Sequence, residues 1–123
     1  MTVFLDSYAI IEMARKNPSY RGYRDAICAT GALNLLEAYY VLTEQGYEEL
    51  GRRCLSDLGP ASMPIPLSMI PAIAQFRLSQ RGSTGLRFSY ADAAGYVCAR
   101  EHGYSFLTGA HEFRGYPGVE FVR

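Results

Sequence analysis

Three carboxylates in this chain stand alone in apolar surroundings. Asp6 follows Val3-Phe4-Leu5 and precedes Ser7-Tyr8-Ala9-Ile10-Ile11. Glu37 lies inside Leu35-Leu36-Glu37-Ala38-Tyr39-Tyr40-Val41-Leu42, and Asp92 inside Tyr90-Ala91-Asp92-Ala93-Ala94-Gly95-Tyr96-Val97. Burying an unpaired carboxylate is costly, so each must find a cation, accept hydrogen bonds or take up a proton. One such residue by itself fits a helix cap or a partnered core acid. Three of them, each near a helix start or a strand end, point to a shared site. Ligands of an open parallel sheet bind in the crevice beyond the carboxyl ends of the strands, and Asp6 is placed at such an end. If Glu37 and Asp92 face the same crevice, three hard oxygen donors converge. Without Cys or His among them, that set selects Mg²⁺ or Mn²⁺ over zinc. Carboxylate-held ions of this kind activate water against a phosphodiester and stabilise the leaving oxygen.

The elements that must position these acids alternate. Thr2–Leu5 reads as a short buried strand, followed by a helix over Tyr8–Met13 that starts at the capping residues Asp6-Ser7 and is broken by Asn17-Pro18-Ser19. A second strand is expected over Ala26–Ala29, then helices over Ala32–Gln45 and Tyr47–Leu58, closed by Gly46 and by Gly59-Pro60. Met63–Leu67 reads as an extended edge strand because of its prolines. Ser68 is the expected cap of a helix to about Gln80, with Pro71 early enough to be tolerated. Arg81–Gly85 reads as a flexible loop. Ser89 caps a helix over Tyr90–His102 that Gly103 ends, and strands follow over Tyr104–Thr108 and Gly118–Val122. Alternation of strands with helices implies a parallel sheet covered on both faces. No repeat or internal boundary is visible, so residues 1–123 read as one domain.

Asp6-Ser7 after the first strand, Glu37 in a helix, Asp92 in Ser89-Tyr-Ala-Asp-Ala-Ala and the ending Phe106-Leu-Thr-Gly-Ala-His-Glu-Phe113 together resemble the PIN-domain ribonucleases, and most closely the VapC-type toxins of prokaryotic toxin–antitoxin pairs. The resemblance spans nearly the whole chain and rests on order and spacing more than on any single motif. It implies a three-layer α/β/α sandwich with a mostly parallel central sheet and metal-dependent endonucleolytic cleavage of RNA. It further implies Asp6, Glu37 and Asp92 as the catalytic, metal-binding acids, with Ser7 and Thr108 supporting them. The implied partners are an RNA substrate, an antitoxin covering the acidic groove and a second copy of the chain; the helical pair Ala32–Leu58 is a candidate for both protein contacts. One position departs from the pattern: the family carries a fourth acid directly after the Thr-Gly pair, where this chain has Ala110. Alanine supplies no ligand, which weakens or empties one metal position. Glu112 could reach in, though a surface role is the preferred reading, and His111 is a proton carrier, a metal ligand or, as is commoner for a loop residue, simply exposed.

Composition narrows the alternatives. Twelve basic and twelve acidic residues cancel, so nucleic-acid contact requires a local patch rather than a general basic coat. Lys16 is the only lysine, which argues against a phosphate-accepting receiver, a fold that needs an early acidic pair and a late lysine. Thr30-Gly31 and Ser83-Thr-Gly85 lack the Walker pattern. Cys28, Cys54 and Cys98 are widely spaced among apolar residues and show no zinc spacing; buried reduced thiols point to a cytoplasmic location. No targeting pattern follows Met1 and no stretch reaches the ~20 apolar residues of a membrane span. Arg77, Arg81 and Arg87 could favour an RNA backbone, or be merely solvated. Tyr20 and Tyr23, beside Arg21 and Arg24, read as a surface mixture suited to a single strand or a partner, whereas Tyr39, Tyr40 and Tyr96 read as core or interface packing. Glu12 either extends the acidic cluster or, the preferred reading, is a partially exposed acid paired with Arg15 or Lys16. Two readings follow: an RNA-cleaving enzyme, or a PIN scaffold that lost catalysis with the acid at position 110 and binds RNA or a protein.

Overall fold

The computed structural model describes all residues 1–123. Its order is β1 (Thr2–Leu5), α1 (Ser7–Ala14), β2 (Ile27–Gly31), α2 (Ala32–Glu44), α3 (Glu48–Leu58), β3 (Ser62–Met63), α4 (Ile70–Thr84), α5 (Tyr90–Glu101), β4 (Ser105–Thr108) and β5 (Val119–Phe121), with short 3₁₀ turns between them. The five strands form one sheet in the order β3-β2-β1-β4-β5, every neighbouring pair parallel.

Strand periodicity of two divides the core into layers. Val3, Leu5 and Leu107 point to one face, where Ala9, Ile10, Leu35, Ala38, Leu42 and Cys54 of α1, α2 and α3 cover them. Phe4 and Phe106, paired in register, point to the other, where Tyr96 and Ala99 of α5 meet Phe88 and Phe113. Helix α4 completes that layer through Ile73 against Ala93, Ala94 and Cys98. The result is the expected three-layer sandwich. Strand order reverses between β1 and β4, so their carboxyl ends, Leu5-Asp6 and Thr108, lie side by side at the switch point; the Asp6 N–H donates to Leu107 O at 3.3 Å.

Several local expectations are corrected. Arg81–Gly85 is not a loop: α4 continues to Thr84, whose hydroxyl donates to Gln80 O at 2.7 Å and accepts the Leu86 N–H at 3.1 Å, and Gly85 ends the helix at φ +73°. Extended pairing stops at Met63 instead of Leu67, because Pro64 and Pro66 have no N–H to donate, and Leu67–Met69 turn as a 3₁₀ segment. Met69, without a side-chain cap bond, takes the N-cap position expected of Ser68, and Pro71 sits in the first turn. Tyr20 is buried, not a surface ring, and its hydroxyl donates to Val122 O at 2.6 Å; the Tyr23 hydroxyl bonds Glu120. Tyr40 is 63% exposed. Glu12 accepts from Asn17 Nδ2 at 3.1 Å and pairs with neither Arg15 nor Lys16, since the one ion pair in the molecule is Arg52–Glu48. Cys54 and Cys98 are buried, Cys28 half-buried, and all three are free, with burial pushing each thiol pKa up. No helix is long and apolar enough to cross a membrane.

Candidate active site

Asp6 ends β1 and opens α1. One carboxylate oxygen accepts the Ala9 N–H at 2.8 Å, which makes Asp6 the N-cap. The other accepts the Thr108 hydroxyl from the neighbouring strand β4, and that hydroxyl oxygen in turn accepts the Ala110 N–H at 3.0 Å. Asp92 is the third residue of α5 and closes a capping box: Ser89 Oγ accepts the Asp92 N–H at 3.0 Å while Asp92 Oδ2 accepts the Ser89 N–H at 3.1 Å. Glu37, in the second turn of α2, accepts the Ser7 hydroxyl at 2.9 Å. Two of the three acids therefore serve as helix caps, and all three line one cleft of about 640 Å³ at the carboxyl end of the sheet. Ser7, Tyr8 and Ser89 complete its polar end, and Ile11, Leu36, Tyr40, Val41 and Ala110 its apolar wall.

Capping does not neutralise the cluster. Asp6 is 1% exposed, and burial, reinforced by the Asp92 and Glu37 charges, outweighs the Thr108 and Ala9 bonds and raises its pKa from 3.8 to about 7. Asp92 is pushed up as well, first by burial and then by the Glu37 and Glu112 charges, against the opposing Ser89 bonds. No guanidinium or ammonium pairs with any of these carboxylates. The cleft is a site of excess negative charge with only oxygen donors on its walls. As the side chains stand, no three acids or imidazoles converge closely enough to chelate an ion. Mg²⁺ keeps several waters and binds through one or two carboxylates, so a spread set with uncommitted oxygens on Glu37 and Asp92 fits such an ion.

Ala110 turns its side of the cleft apolar, at the place of the missing acid. Glu112 is exposed, outside the cleft lining, yet near enough to raise the Asp92 pKa. His111 is exposed and its Nε2 accepts from the Arg123 guanidinium, whose Nε donates to the Tyr8 hydroxyl at 3.3 Å. Tyr8 and Arg123 were not expected at the site. Tyr8 adjoins Ser7 in the first turn of α1, a placement that could have flagged it, whereas Arg123 carries no local signal and arrives only through β5. Gly109 makes room for Tyr8 and the backbone of Val122: a Cβ there would lie 2.3 Å from both the Tyr8 ring and Val122 O.

No family model matches the chain and no curated protein matches it. Solved structures do. A chain of a toxin–antitoxin complex from Klebsiella pneumoniae superposes with a TM-score of 0.67 at 20% identity, over 96% of this chain and 95% of that one. VapBC2 from Rickettsia felis, bound to a DNA fragment from its promoter, gives 0.73 at 14% identity over 100% of both chains. VapC20 from Mycobacterium tuberculosis, a sarcin–ricin loop cleaving toxin, gives 0.68 at 11% identity over 91% of each.

Proposed function

From the premise that this chain carries a VapC-type PIN-domain fold, we propose that it is a metal-dependent endoribonuclease, the toxin of a toxin–antitoxin pair, acting in the cytoplasm. The single observation that carries this reading is the cleft into which Asp6, Glu37 and Asp92 all open with no cation to balance them. Glu37 and Asp92, whose free oxygens face the cleft, would hold a partly hydrated Mg²⁺ or Mn²⁺ with the Asp6 charge beside them, and the ion would supply the positive charge that activates water and stabilises the leaving oxygen of a phosphodiester. Thr108 fixes the Asp6 carboxylate and Ser7 fixes Glu37, so two of the three acids are held by hydroxyls against rotation. The VapBC architecture of the similar structures supports an antitoxin as partner. The exposed side chains of Leu36 and Tyr40 beside the acids offer an apolar wall for it.

Purified protein incubated with structured RNA and Mn²⁺ is expected to cleave it, and Asp6→Asn is expected to lose at least 100-fold of that rate, on the order of an electrostatic contact made in the transition state. Equal cleavage by the two proteins rejects the reading.

Ala110 favours a second reading, an impaired scaffold that binds RNA or a protein without efficient turnover. Ala110→Asp separates the two: a gain of about tenfold or more in Mn²⁺ affinity together with a large gain in cleavage shows that the parent chain is impaired, and no gain shows that three acids suffice.

A further inference from the structure

An acidic cleft repels the polyanion it is proposed to cut, so cations at its margin must hold the strand. We infer that two arginine–aromatic pairs on the cleft rim, Arg123 with Tyr8 and Arg77 with Tyr90, form the clamp that holds single-stranded RNA across the acids. This rests on the ribonuclease reading and deepens it by naming what holds the substrate. The Arg123 guanidinium lies 5.6 Å from the centre of the Tyr8 ring, and Tyr8 itself lines the cleft. The Arg77 guanidinium lies 4.4 Å from the centre of the Tyr90 ring; the pair lines the neighbouring groove, and Tyr90 immediately follows the cleft residue Ser89, which puts it at the margin between the two. Neither arginine has a carboxylate partner. Each is oriented by other groups instead, Arg77 by donating Nε to Phe88 O at 2.7 Å and Arg123 by contacts with the Tyr8 hydroxyl and His111. A guanidinium has five N–H donors; held by a ring and one or two hydrogen bonds, it keeps a fork free for a phosphate oxygen. Tyr90 is 71% exposed, a ring face on which a base can stack. Contacts to phosphate and to a ring face carry little sequence information, so the clamp sets affinity and register, leaving target choice to other parts of the surface.

The test is fluorescence anisotropy of a labelled twelve-nucleotide single-stranded RNA in EDTA, where no metal-dependent cleavage intervenes, titrated at several KCl concentrations. Each lost phosphate contact lowers the salt slope by about 0.7, equivalent to about fivefold in affinity at 0.1 M salt relative to 1 M. Arg123→Ala and Arg77→Gln are each expected to show that loss, and the double variant about twice the change in slope. Arg52→Ala, on α3 and paired with Glu48, is the control for general charge and is expected to bind as the parent does. Circular dichroism melting of each variant separates loss of the clamp from loss of fold, and Arg77→Lys retains the charge should Arg77→Gln melt early. Unchanged affinity and slope in both arginine variants overturns the clamp, as does an absence of RNA binding by the parent. Loss of binding to an Asp/Glu-rich peptide with RNA binding intact also overturns it and assigns the surface to a protein. Parent cleavage in Mn²⁺ that persists with unchanged KM in the variants would sink the clamp alone. Normal clamp behaviour without cleavage would sink the nuclease reading alone.

Discussion

Asp6 is asked to cap a helix, bond a threonine and carry charge inside the fold, and these demands conflict in a way that pH exposes. Its folded pKa of about 7 stands above the unfolded value of 3.8. Between those values the folded chain keeps a proton that the unfolded chain has released. Metal-free stability therefore falls as pH rises from about 4 to about 7 and levels off above, by about 1.4 kcal/mol for each pKa unit of displacement. The raised pKa of Asp92 acts in the same direction. Asp6→Asn removes the larger contribution: urea denaturation in EDTA should find it more stable than the parent at pH 8, with the difference shrinking towards pH 4. A parent curve that is equally stable or less stable than the variant's at every pH by a constant amount would contradict this. Mn²⁺ should raise the parent's midpoint more at pH 8 than at pH 5, where the competing proton is bound.

At the scale of elements, the ends of helices and strands carry the site, and their packing leaves little slack. Ser89→Ala removes one half of the capping box around Asp92 and is expected to cost about 1 kcal/mol. Gly109→Ala drives a methyl into Tyr8 and a backbone oxygen and should cost about 1–3 kcal/mol or more, with loss of RNA binding if Tyr8 is displaced; both are read by chemical denaturation. The ends of elements also mark where the sequence was legible. Strands β1 and β4 and helix α5 stand within about a residue of expectation because β-branched and apolar runs, Ser89 and Gly103 are local signals. The three acids were legible for a related reason, since a charge in an apolar run is anomalous wherever it occurs, whereas Ser7 and Thr108 as their supports came only with the resemblance to the PIN-domain pattern. Helix α4 was cut short in expectation because Gly82, Ser83 and Thr84 have the composition of a loop, yet Thr84 satisfies its own turn by back-bonding to Gln80. Tyr20 was misplaced because its arginine neighbours dominate the local pattern, while its burial depends on Val122, 102 residues away. Arg123 was invisible for the same reason. No window of sequence contains both it and Tyr8.

Across the whole molecule, folding and chemistry draw on different forces. The sheet is held by two apolar layers, and the sole ion pair is exposed and screened by solvent, so it adds little. Raising KCl from 0.05 to 0.5 M should leave the denaturation free energy unchanged within about 1 kcal/mol while RNA affinity falls steeply; parallel losses in both would show that the cations also stabilise the fold. The same division runs through the acids. Asp6 and Asp92 hold helix starts in place, whereas Glu37 touches only the Ser7 hydroxyl. Glu37→Gln should therefore abolish turnover at almost no structural cost. In a lineage released from selection for cleavage, positions 6 and 92 would keep residues able to bond a helix start, Asn among them, and the glutamate would drift first. Among descendants of such a chain, position 37 is the one whose identity distinguishes a working enzyme from its relic.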